Sequence, residues 1–425
     1  MRPKLRVQFA FALALYLVVE GVTLAGLQVL RKARGLTYLP AASTLAPEAR
    51  MNLDAFLARG KGAHVRMDAV LGWVPPPGSE INAAGMRDDR DYDPQPVPGI
   101  LRISAFGDSF TYGADVKLGE NWAKRIPAMK PTIEVLNYGV GAYGLDQAYL
   151  RYLQVGADYH PQVVFIGYMT ENLARDVNVF RGFYTSFYRN TIFSKPRFRV
   201  ENGALVLVPN PLATVEDYRR LRDNEEEVLS ELGRNDYHYV GQYRAGPLDF
   251  SPSVRLGKMV AARIRTARQI PIFTADGRYE QRSEAYEVTV RIFDAFYRKV
   301  LEDGALPIIV VLPDLNDQQR SREGEPRRYA PLLEYFRSRG YRYIDALGAL
   351  EPVQQRYTIS DLSVQWGHFS KLGNDIVAQY ILESLVKWDL DEAPKANAAA
   401  VSERQRFNFN SAARAAAPAT ALVGR

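Results

Sequence analysis

Short, mainly apolar runs recur along the middle of the chain and alternate with segments whose apolar residues follow a helical period. Such runs are typical of strands buried on both faces. They predict strands over Leu101–Phe106, Ile133–Tyr138, Val163–Tyr168, Ile308–Leu312 and Tyr341–Ile344. The helical period predicts helices over Trp122–Met129, Leu145–Val155, Glu284–Leu301, Tyr329–Arg339 and Gly373–Leu390. Alternating strands and helices indicate an α/β fold with a parallel, doubly wound sheet.

The gap between the third and fourth predicted strands, residues 173–305, is too long for a loop. We therefore expect an insertion with its own structure. Residues 198–208 are typical of a hairpin that turns at Asn202-Gly203, and residues 216–232 and 254–269 are helical in pattern. After Leu390 the chain is rich in Ala, Asn, Ser and Pro, which predicts a disordered tail over residues 391–425.

The N-terminus has a mostly apolar run, Val7–Leu30, which follows Arg2, Lys4 and Arg6. A helix needs roughly 20 residues to span a bilayer, and no clear cleavage site of small residues follows the run. Residues 1–34 therefore predict a retained signal anchor that crosses the membrane once. Glu20 interrupts the run, and a carboxyl group in hydrocarbon is expected to be protonated or paired with a neighbouring helix.

Residues 35–100 are rich in proline, glycine and polar residues and predict a loop-rich lead-in to the α/β domain. The domain itself is expected over residues 101–390, with the insertion at 173–305. Basic residues flank both ends of the apolar run, so the charge pattern leaves the membrane orientation open.

Composition excludes several kinds of chemistry. The chain has 425 residues, 47% of them apolar, a net charge of +6 and no cysteine. Disulfides, thiolate catalysis and cysteine-ligated zinc are therefore excluded. The sequence has no phosphate-binding loop, no dinucleotide fingerprint and no pair of histidines at ligand spacing, so we expect no cofactor and no metal. The basic charge permits contact with anionic lipid, and no nucleic-acid partner is expected.

The first predicted strand leads directly into Gly107-Asp108-Ser109. A serine at the carboxyl end of a central strand lies where open α/β sheets bind ligands. Gly107 permits a sharp turn, and Ser109 could equally be only the N-cap of the next helix. Asp108 is expected to stiffen the turn through hydrogen bonds to local backbone.

This block resembles the first motif of the SGNH hydrolases, the GDSL esterase/lipase family. The resemblance implies a flavodoxin-like sheet of about five strands, with Ser109 as nucleophile. The glycine-rich stretch at residues 137–144 is similar to the second block, which implies backbone oxyanion donors at Ala142 and neighbouring Gly141, beside the N–H of Ser109. Asn172 follows the third strand, where the family has an asparagine that donates its side-chain amide.

The chain has only four histidines. His368, in the stretch Trp366-Gly367-His368-Phe369-Ser370, resembles the family's fourth block, which implies that it is the general base. The family usually has an aspartate three residues earlier, but Gln365 stands there. A glutamine cannot balance the charge of an imidazolium. Two alternatives stay open: Asp361 reaches back to His368, or the site is a Ser–His dyad assisted by a backbone carbonyl.

The resemblance and the anchor together imply a serine esterase acting on O-acyl esters of a carbohydrate or lipid at the cell envelope, with its catalytic domain on the extracytoplasmic side. An O-acyltransferase that uses the same centre is the first alternative. A non-catalytic binding or assembly protein that keeps the fold is the second, and Gln365 is the feature in its favour. The oligomeric state is left open.

Overall fold

The computed structural model describes residues 3–38, 40, 45–59, 65–184, 191–365 and 367–416. It divides into two compact units. The smaller unit comprises Met1–Gly62, Asn178–Ser194 and Pro211–Ile270, and the larger comprises Ala63–Val177, Lys195–Asn210 and Pro271–Arg425. Segments of the predicted insertion therefore belong to both units.

The strands, all in the larger unit, are β1 (Arg66–Asp68), β2 (Gly72–Val74), β3 (Leu101–Phe106), β4 (Ile133–Asn137), β5 (Val163–Met169), β6 (Arg197–Glu201), β7 (Ala204–Val208), β8 (Leu306–Leu312) and β9 (Tyr343–Asp345). Five of them form one parallel sheet in the order β4-β3-β5-β8-β9. This is the 2-1-3-4-5 order of a flavodoxin-like sheet. The predicted fold class is confirmed, and each predicted strand agrees to within two residues at either end.

The helices are α1 (Pro3–Arg34), α2 (Pro47–Arg59), α3 (Ser109–Tyr112), α4 (Trp122–Met129), α5 (Leu145–Val155), α6 (Asn172–Arg175), α7 (Arg181–Tyr184), α8 (Val215–Asp223), α9 (Glu225–Leu232), α10 (Pro252–Arg268), α11 (Glu284–Glu302), α12 (Leu315–Arg322), α13 (Ala330–Arg339), α14 (Leu347–Leu350), α15 (Ile359–Leu362), α16 (Lys371–Lys387) and α17 (Ala393–Ala416). The periodicity located the long helices of the larger unit well. The predicted helix at 216–232 is interrupted at Asn224, which separates α8 from α9.

The central sheet is covered on both faces, as the continuous apolar strands predict. On one face, alternate residues of β3, β5 and β8 form a core with Trp122 of α4 and Ile381 of α16. On the other face, Phe106 stacks on Tyr138, and Tyr168 meets Phe293 of α11 edge-on. Every residue of β3, β5 and β8 is buried, which fixes the carboxyl ends of these strands as a rigid edge.

The predicted hairpin is present as β6 and β7, which pair antiparallel around Asn202 and Gly203. Both turn residues have positive φ, 51° and 79°. Positive φ at two central residues is the requirement of the turn that joins tightly paired strands, and Asn-Gly meets it best.

The disordered tail predicted after Leu390 is wrong for residues 393–416, which form α17. Alanine-rich sequence has high helix propensity, and one face of this helix is packed. Ala396 and Ala400 are buried in the core, and Glu403 accepts a 2.9 Å hydrogen bond from the Tyr297 hydroxyl. Small side chains allow this helix to pack closely, and the low hydrophobicity of the segment does not reveal such packing. Residues 417–425 lie outside the described residues.

In the smaller unit, α1 is long and apolar enough to cross a membrane from Val7 to Arg34, a test that a signal sequence also passes. Its neighbour is α10. The Glu20 carboxylate accepts hydrogen bonds from the Ser251 hydroxyl at 2.7 Å and from the Ser253 N–H at 3.0 Å. The expected pairing of Glu20 with a neighbouring helix is thus present.

Candidate active site

Ser109 is the first residue of α3, directly after β3 ends at the carboxyl edge of the sheet. The turn before it is tight: a Cβ on Gly107 would lie 2.1 Å from Thr111 Oγ1 and 2.9 Å from the Gly167 carbonyl oxygen. Only glycine fits there. The Asp108 carboxylate caps α3 by accepting a 2.9 Å hydrogen bond from the Phe110 N–H, as predicted from the turn.

His368 lies in the loop between α15 and α16 and contacts the serine. Its Nε2 is 2.8 Å from Ser109 Oγ. The loop is closed by hydrogen bonds from the Val364 N–H to the His368 carbonyl and from the Ser370 N–H to the Leu362 carbonyl, at 2.8 and 2.9 Å. The Phe110 ring packs edge-on against the imidazole at 5.2 Å. Both sides of the serine–histidine pair are therefore held by local structure.

The other ring nitrogen of His368 contacts the carboxylate of Asp115, so that Ser109, His368 and Asp115 form one chain of contacts. Its Oδ2 lies 2.6 Å from His368 Nδ1. Asp115 follows α3, six residues after Ser109 in the sequence, and adopts a left-handed φ of 65°. Aspartate is one of the few side chains that tolerate this conformation. Ser109, His368 and Asp115 have the connectivity of a serine–histidine–acid triad.

Asp361, the acid predicted from the sequence, is not brought to the ring. Its carboxylate accepts hydrogen bonds from the Thr358 N–H at 2.7 Å and from the Thr358 hydroxyl at 2.8 Å, within the capping box that begins α15. These bonds lower the pKa of Asp361. Gln365 is exposed. The structure therefore differs from the prediction of Asp361, whose carboxylate bonds Thr358, and from the dyad alternative, since the Asp115 carboxylate lies at His368 Nδ1.

Asp115 was missed by the sequence reasoning because the family pattern directs attention to the residues before the histidine. The available signal was weak. It consists of an aspartate after Gly113, close to the nucleophile in sequence, in a segment that must turn back. Gly113 is the left-handed cap of α3, with a φ of 80°, and it reverses the chain so that residue 115 faces the histidine loop.

Arg87 of the lead-in segment holds the loop that carries Asp115. Its guanidinium donates to the carbonyl oxygens of Tyr112 at 2.6 Å and Val116 at 2.7 Å, and also to that of Gly113. Arg87 is 3% exposed. Three carbonyls on both sides of Asp115 are therefore fixed by one buried cation.

The glycine-rich stretch after β4 packs against the turn at Ser109. The Val140 N–H donates to the Gly107 carbonyl at 3.0 Å, and the Asn137 side chain donates to the Thr111 carbonyl at 2.8 Å. Ala142 adopts a φ of 63°, where a non-glycine residue costs roughly 1–2 kcal/mol. The Gly141 carbonyl accepts a 3.0 Å hydrogen bond from the Trp73 indole N–H. The segment predicted to supply a backbone donor is thus fixed in a strained conformation.

Asn172 begins α6, just beyond the end of β5. Its side chain is 1% exposed, and neither amide atom has a hydrogen-bond partner of standard geometry among the described residues. Burial raises the pKa of Asp108, while Arg175, the Phe110 N–H, His368 and Asn172 oppose the rise. Asn172 therefore lies in the same buried polar environment as the residue preceding the serine.

Two of the other three histidines lie within the described residues. His160 is exposed in a turn, the His238 ring lies against those of Tyr184 and Tyr237 in the smaller unit, and His64 lies outside the described residues. Within the described ranges, no group of three or more His, Asp or Glu residues could hold a metal ion.

Comparisons with known proteins give matches among solved structures only. No family model and no curated protein matches the chain. A lipolytic protein of the G-D-S-L family from Desulfitobacterium hafniense is 15% identical, with a TM-score of 0.34, over 67% of this chain and 98% of its own. A member of the same family from Veillonella parvula is 11% identical, with a TM-score of 0.33, over 67% and 98%.

An acetylxylan esterase from Geobacillus stearothermophilus is 12% identical, with a TM-score of 0.35, over 67% of this chain and 94% of its own. Identities and TM-scores this low carry no inference by themselves. Two of these three proteins are named for the family that the block at Ser109 resembles.

Proposed function

We propose that the chain is a serine ester hydrolase with Ser109 as nucleophile, His368 as general base and Asp115 as the acid that orients the histidine. The observation that carries the proposal is the unbroken line of contacts, 2.8 Å from Ser109 Oγ to His368 Nε2 and 2.6 Å from His368 Nδ1 to Asp115. A base within hydrogen-bond reach of a hydroxyl, itself oriented by a carboxylate, is the arrangement that activates serine.

The reaction follows from these contacts. Ser109 Oγ attacks the carbonyl carbon of the ester while its proton passes to His368 Nε2, and the Asp115 carboxylate stabilises the resulting imidazolium through Nδ1–H. The tetrahedral intermediate then breaks its bond to the alcohol, which takes the proton from His368. Water, deprotonated by His368, attacks the acyl-enzyme and releases the carboxylic acid and free Ser109.

The oxyanion of the intermediate needs hydrogen-bond donors placed in advance. We assign this role to the N–H of Ser109, the backbone at Gly141 and Ala142, and the side-chain amide of Asn172. Support for Asn172 comes from its burial without a hydrogen-bond partner of standard geometry among the described residues. The amide also acts on the Asp108 carboxylate, which places it beside the turn that carries Ser109.

The substrate class that fits the motif resemblance is an O-acyl ester on a carbohydrate or lipid at the cell envelope. The α1 helix is the proposed single-pass anchor, and the catalytic unit is placed on the extracytoplasmic side. Transfer of the acyl group to a sugar hydroxyl instead of water would use the same acyl-enzyme. It is detected by the appearance of acylated acceptor in place of free carboxylic acid.

The test is labelling of the purified full-length protein with a fluorophosphonate probe, together with hydrolysis of p-nitrophenyl acetate. Wild-type protein is expected to be labelled at Ser109 and to release p-nitrophenol. Ser109→Ala is expected to lose both signals, while Ser104→Ala, a buried serine of β3, is the matched control that retains them. Absence of labelling in folded wild-type protein would favour a binding protein that keeps the fold.

A further inference from the structure

Helix α10 of the smaller unit leaves an apolar face uncovered. Val260 and Ile264, one turn apart, are each 48% exposed, and the small residues Gly257, Ala261 and Ala267 are exposed on the same side. At 3.6 residues per turn these positions form one stripe along the helix. Just before the helix, Leu248 is 60% and Phe250 73% exposed.

Arginines border the stripe. Arg263 and Arg268 are exposed and fall on either side of Val260 and Ile264 around the helix. Lys258 and Arg265 lie next to each other farther around the helix, where Lys258 pairs with Asp249 and Arg265 donates to the carbonyls of Val240 and Gln242. An apolar stripe bordered by basic residues is typical of a helix that lies in a membrane interface.

Contact with α1 gives an independent reason to place α10 at a membrane. Residues 7–19 of α1 are exposed on every side, and at 1.5 Å per residue they extend about 20 Å. The hydrocarbon core of a bilayer is about 30 Å thick. If α1 crosses the membrane, the hydrocarbon must extend beyond Glu20 along the helix.

That part of α1 is where the smaller unit covers it. Glu20, Thr23, Leu27 and Leu30 form the face of α1 that is buried or half-buried, and α10 is the helix packed against α1. The start of α10 is tied to Glu20 through Ser251 and Ser253. If α1 crosses the membrane, the face of α1 from Glu20 to Leu30 therefore includes the level where acyl chains give way to headgroups.

The geometry points to α10 as a second membrane-binding element, whose Val260–Ile264 stripe enters the acyl-chain boundary while Arg263 and Arg268 contact anionic lipid headgroups. This inference rests on the membrane insertion of α1 proposed above and is independent of the ester hydrolysis. The charge of Arg265 and Lys258 is directed to protein partners and does not contribute to lipid binding.

The absence of cysteine makes the test direct, because a single introduced cysteine is the only labelling site. Three exposed valines form a matched set: Val18 of α1, Val260 of α10 and Val386 of α16, at 62%, 48% and 53% exposure. Each full-length Val→Cys variant is labelled with an environment-sensitive dye. It is then reconstituted into phosphatidylcholine–phosphatidylglycerol vesicles that contain doxyl-labelled lipid as quencher.

We expect lipid quenching at residues 18 and 260 and none at residue 386. Quenching at residue 18 without quenching at residue 260 overturns the role of α10 and leaves the anchor in place. A dye at residue 260 that is shielded from aqueous iodide but not quenched by doxyl lipid also overturns it, since a protein partner then covers the stripe. Loss of quenching at residue 18 removes the anchor and this inference together, whatever the hydrolysis assay shows.

Discussion

The loop that follows α3 and the short helix α15 that precedes the His368 loop each carry an aspartate, and the two carboxylates have different partners. Asp361 turns its carboxylate back onto Thr358 and completes the start of α15. Among the described residues Asp115 makes no such local bond; it has a left-handed φ and directs its carboxylate to His368 Nδ1. The difference teaches that a triad is defined by which carboxylate reaches the imidazole, not by its distance in sequence from the histidine.

Support for the two aspartates also differs. The backbone around Asp361 is held by its own capping box, so its carboxylate is consumed by the segment that contains it. The backbone around Asp115 is held from outside, by Arg87, so its carboxylate stays available. In the proposed triad the acid lies on the loop that follows Ser109, and Arg87 holds that loop.

The largest expected loss of kcat comes from removing the side chain of Ser109 or His368. Ser109→Ala and His368→Ala are each expected to lower kcat for p-nitrophenyl acetate by about 10⁴–10⁶-fold, and the double variant by no more than either single one, because the two residues act as a unit. Steady-state kinetics of the three variants measures this. Additive losses in the double variant would show that the two side chains act separately.

Replacing Arg87, which holds the loop that carries Asp115, should lower kcat less. Arg87→Met removes the guanidinium that donates to the carbonyls of residues 112, 113 and 116. A shift of Asp115 by about 1 Å is then expected to lower kcat by about 10²-fold with little change in KM. Arg87→Lys should restore part of the loss. Arg90→Met, at a nearby exposed arginine, is the control. A change confined to thermal stability, with kcat unaltered in the folded fraction, would reduce Arg87 to a structural role.

Placing an acid on the histidine loop should do little. Gln365→Asp puts a carboxylate at the position where the family has its acid, but His368 Nδ1 is already engaged by Asp115. An additional exposed charge contributes about 1 kcal/mol at most, so kcat should change by about fivefold or less. Gln365→Ala is the control for loss of the amide. A rise well beyond fivefold would mean that Asp115 does not perform the acid's role.

Asp176 lies outside both of these segments, and its effect is expected on the stability of the fold. Burial and the neighbouring Asp146 raise the pKa of Asp176 to about 7. The folded state therefore retains a proton that the unfolded state releases near pH 4, and this contribution to stability is lost as the pH rises from about 4 to 7. Asp176→Asn can keep the hydrogen bonds to Leu145 and Thr289. In this variant the urea concentration at the unfolding midpoint should decrease less between pH 4 and pH 7 than it does in the wild type, by roughly the contribution of one carboxyl group. The exposed Asp158→Asn should not change this decrease, and equal slopes in all three proteins would refute the assignment.

Much of the fold was predictable because it depends on patterns that act locally. Continuous apolar runs such as Val163–Met169 are typical of strands in a sheet covered on both faces, and their alternation with helices indicates a parallel topology. The packed α17 was missed because its alanines bury little area each, and a composition argument cannot see which face they share.

The part of the candidate site that depends on a short motif at a strand end could be predicted from the sequence. The part that depends on contacts between distant segments could not. Ser109 and His368 follow from position at a strand end and from a short motif, and the structure brings them together. Asp115 depends on the reversal at Gly113 and on contacts from Arg87, which is far from it in sequence. No local pattern encodes the direction of that carboxylate, whereas Asp361 precedes His368 by seven residues and was one of two alternatives that the sequence leaves open.

The most direct test of the account compares kcat of Asp115→Asn with that of Asp361→Asn. A buried triad acid contributes on the order of 10⁴, and since the Asp115 side chain is 39% exposed, solvent screening should reduce the loss to about 10³-fold. Asp361→Asn should stay within about twofold of wild type, since its carboxylate bonds only Thr358. Full activity in Asp115→Asn, or a larger loss of kcat in Asp361→Asn, would contradict the proposal that Asp115 is the acid of the triad.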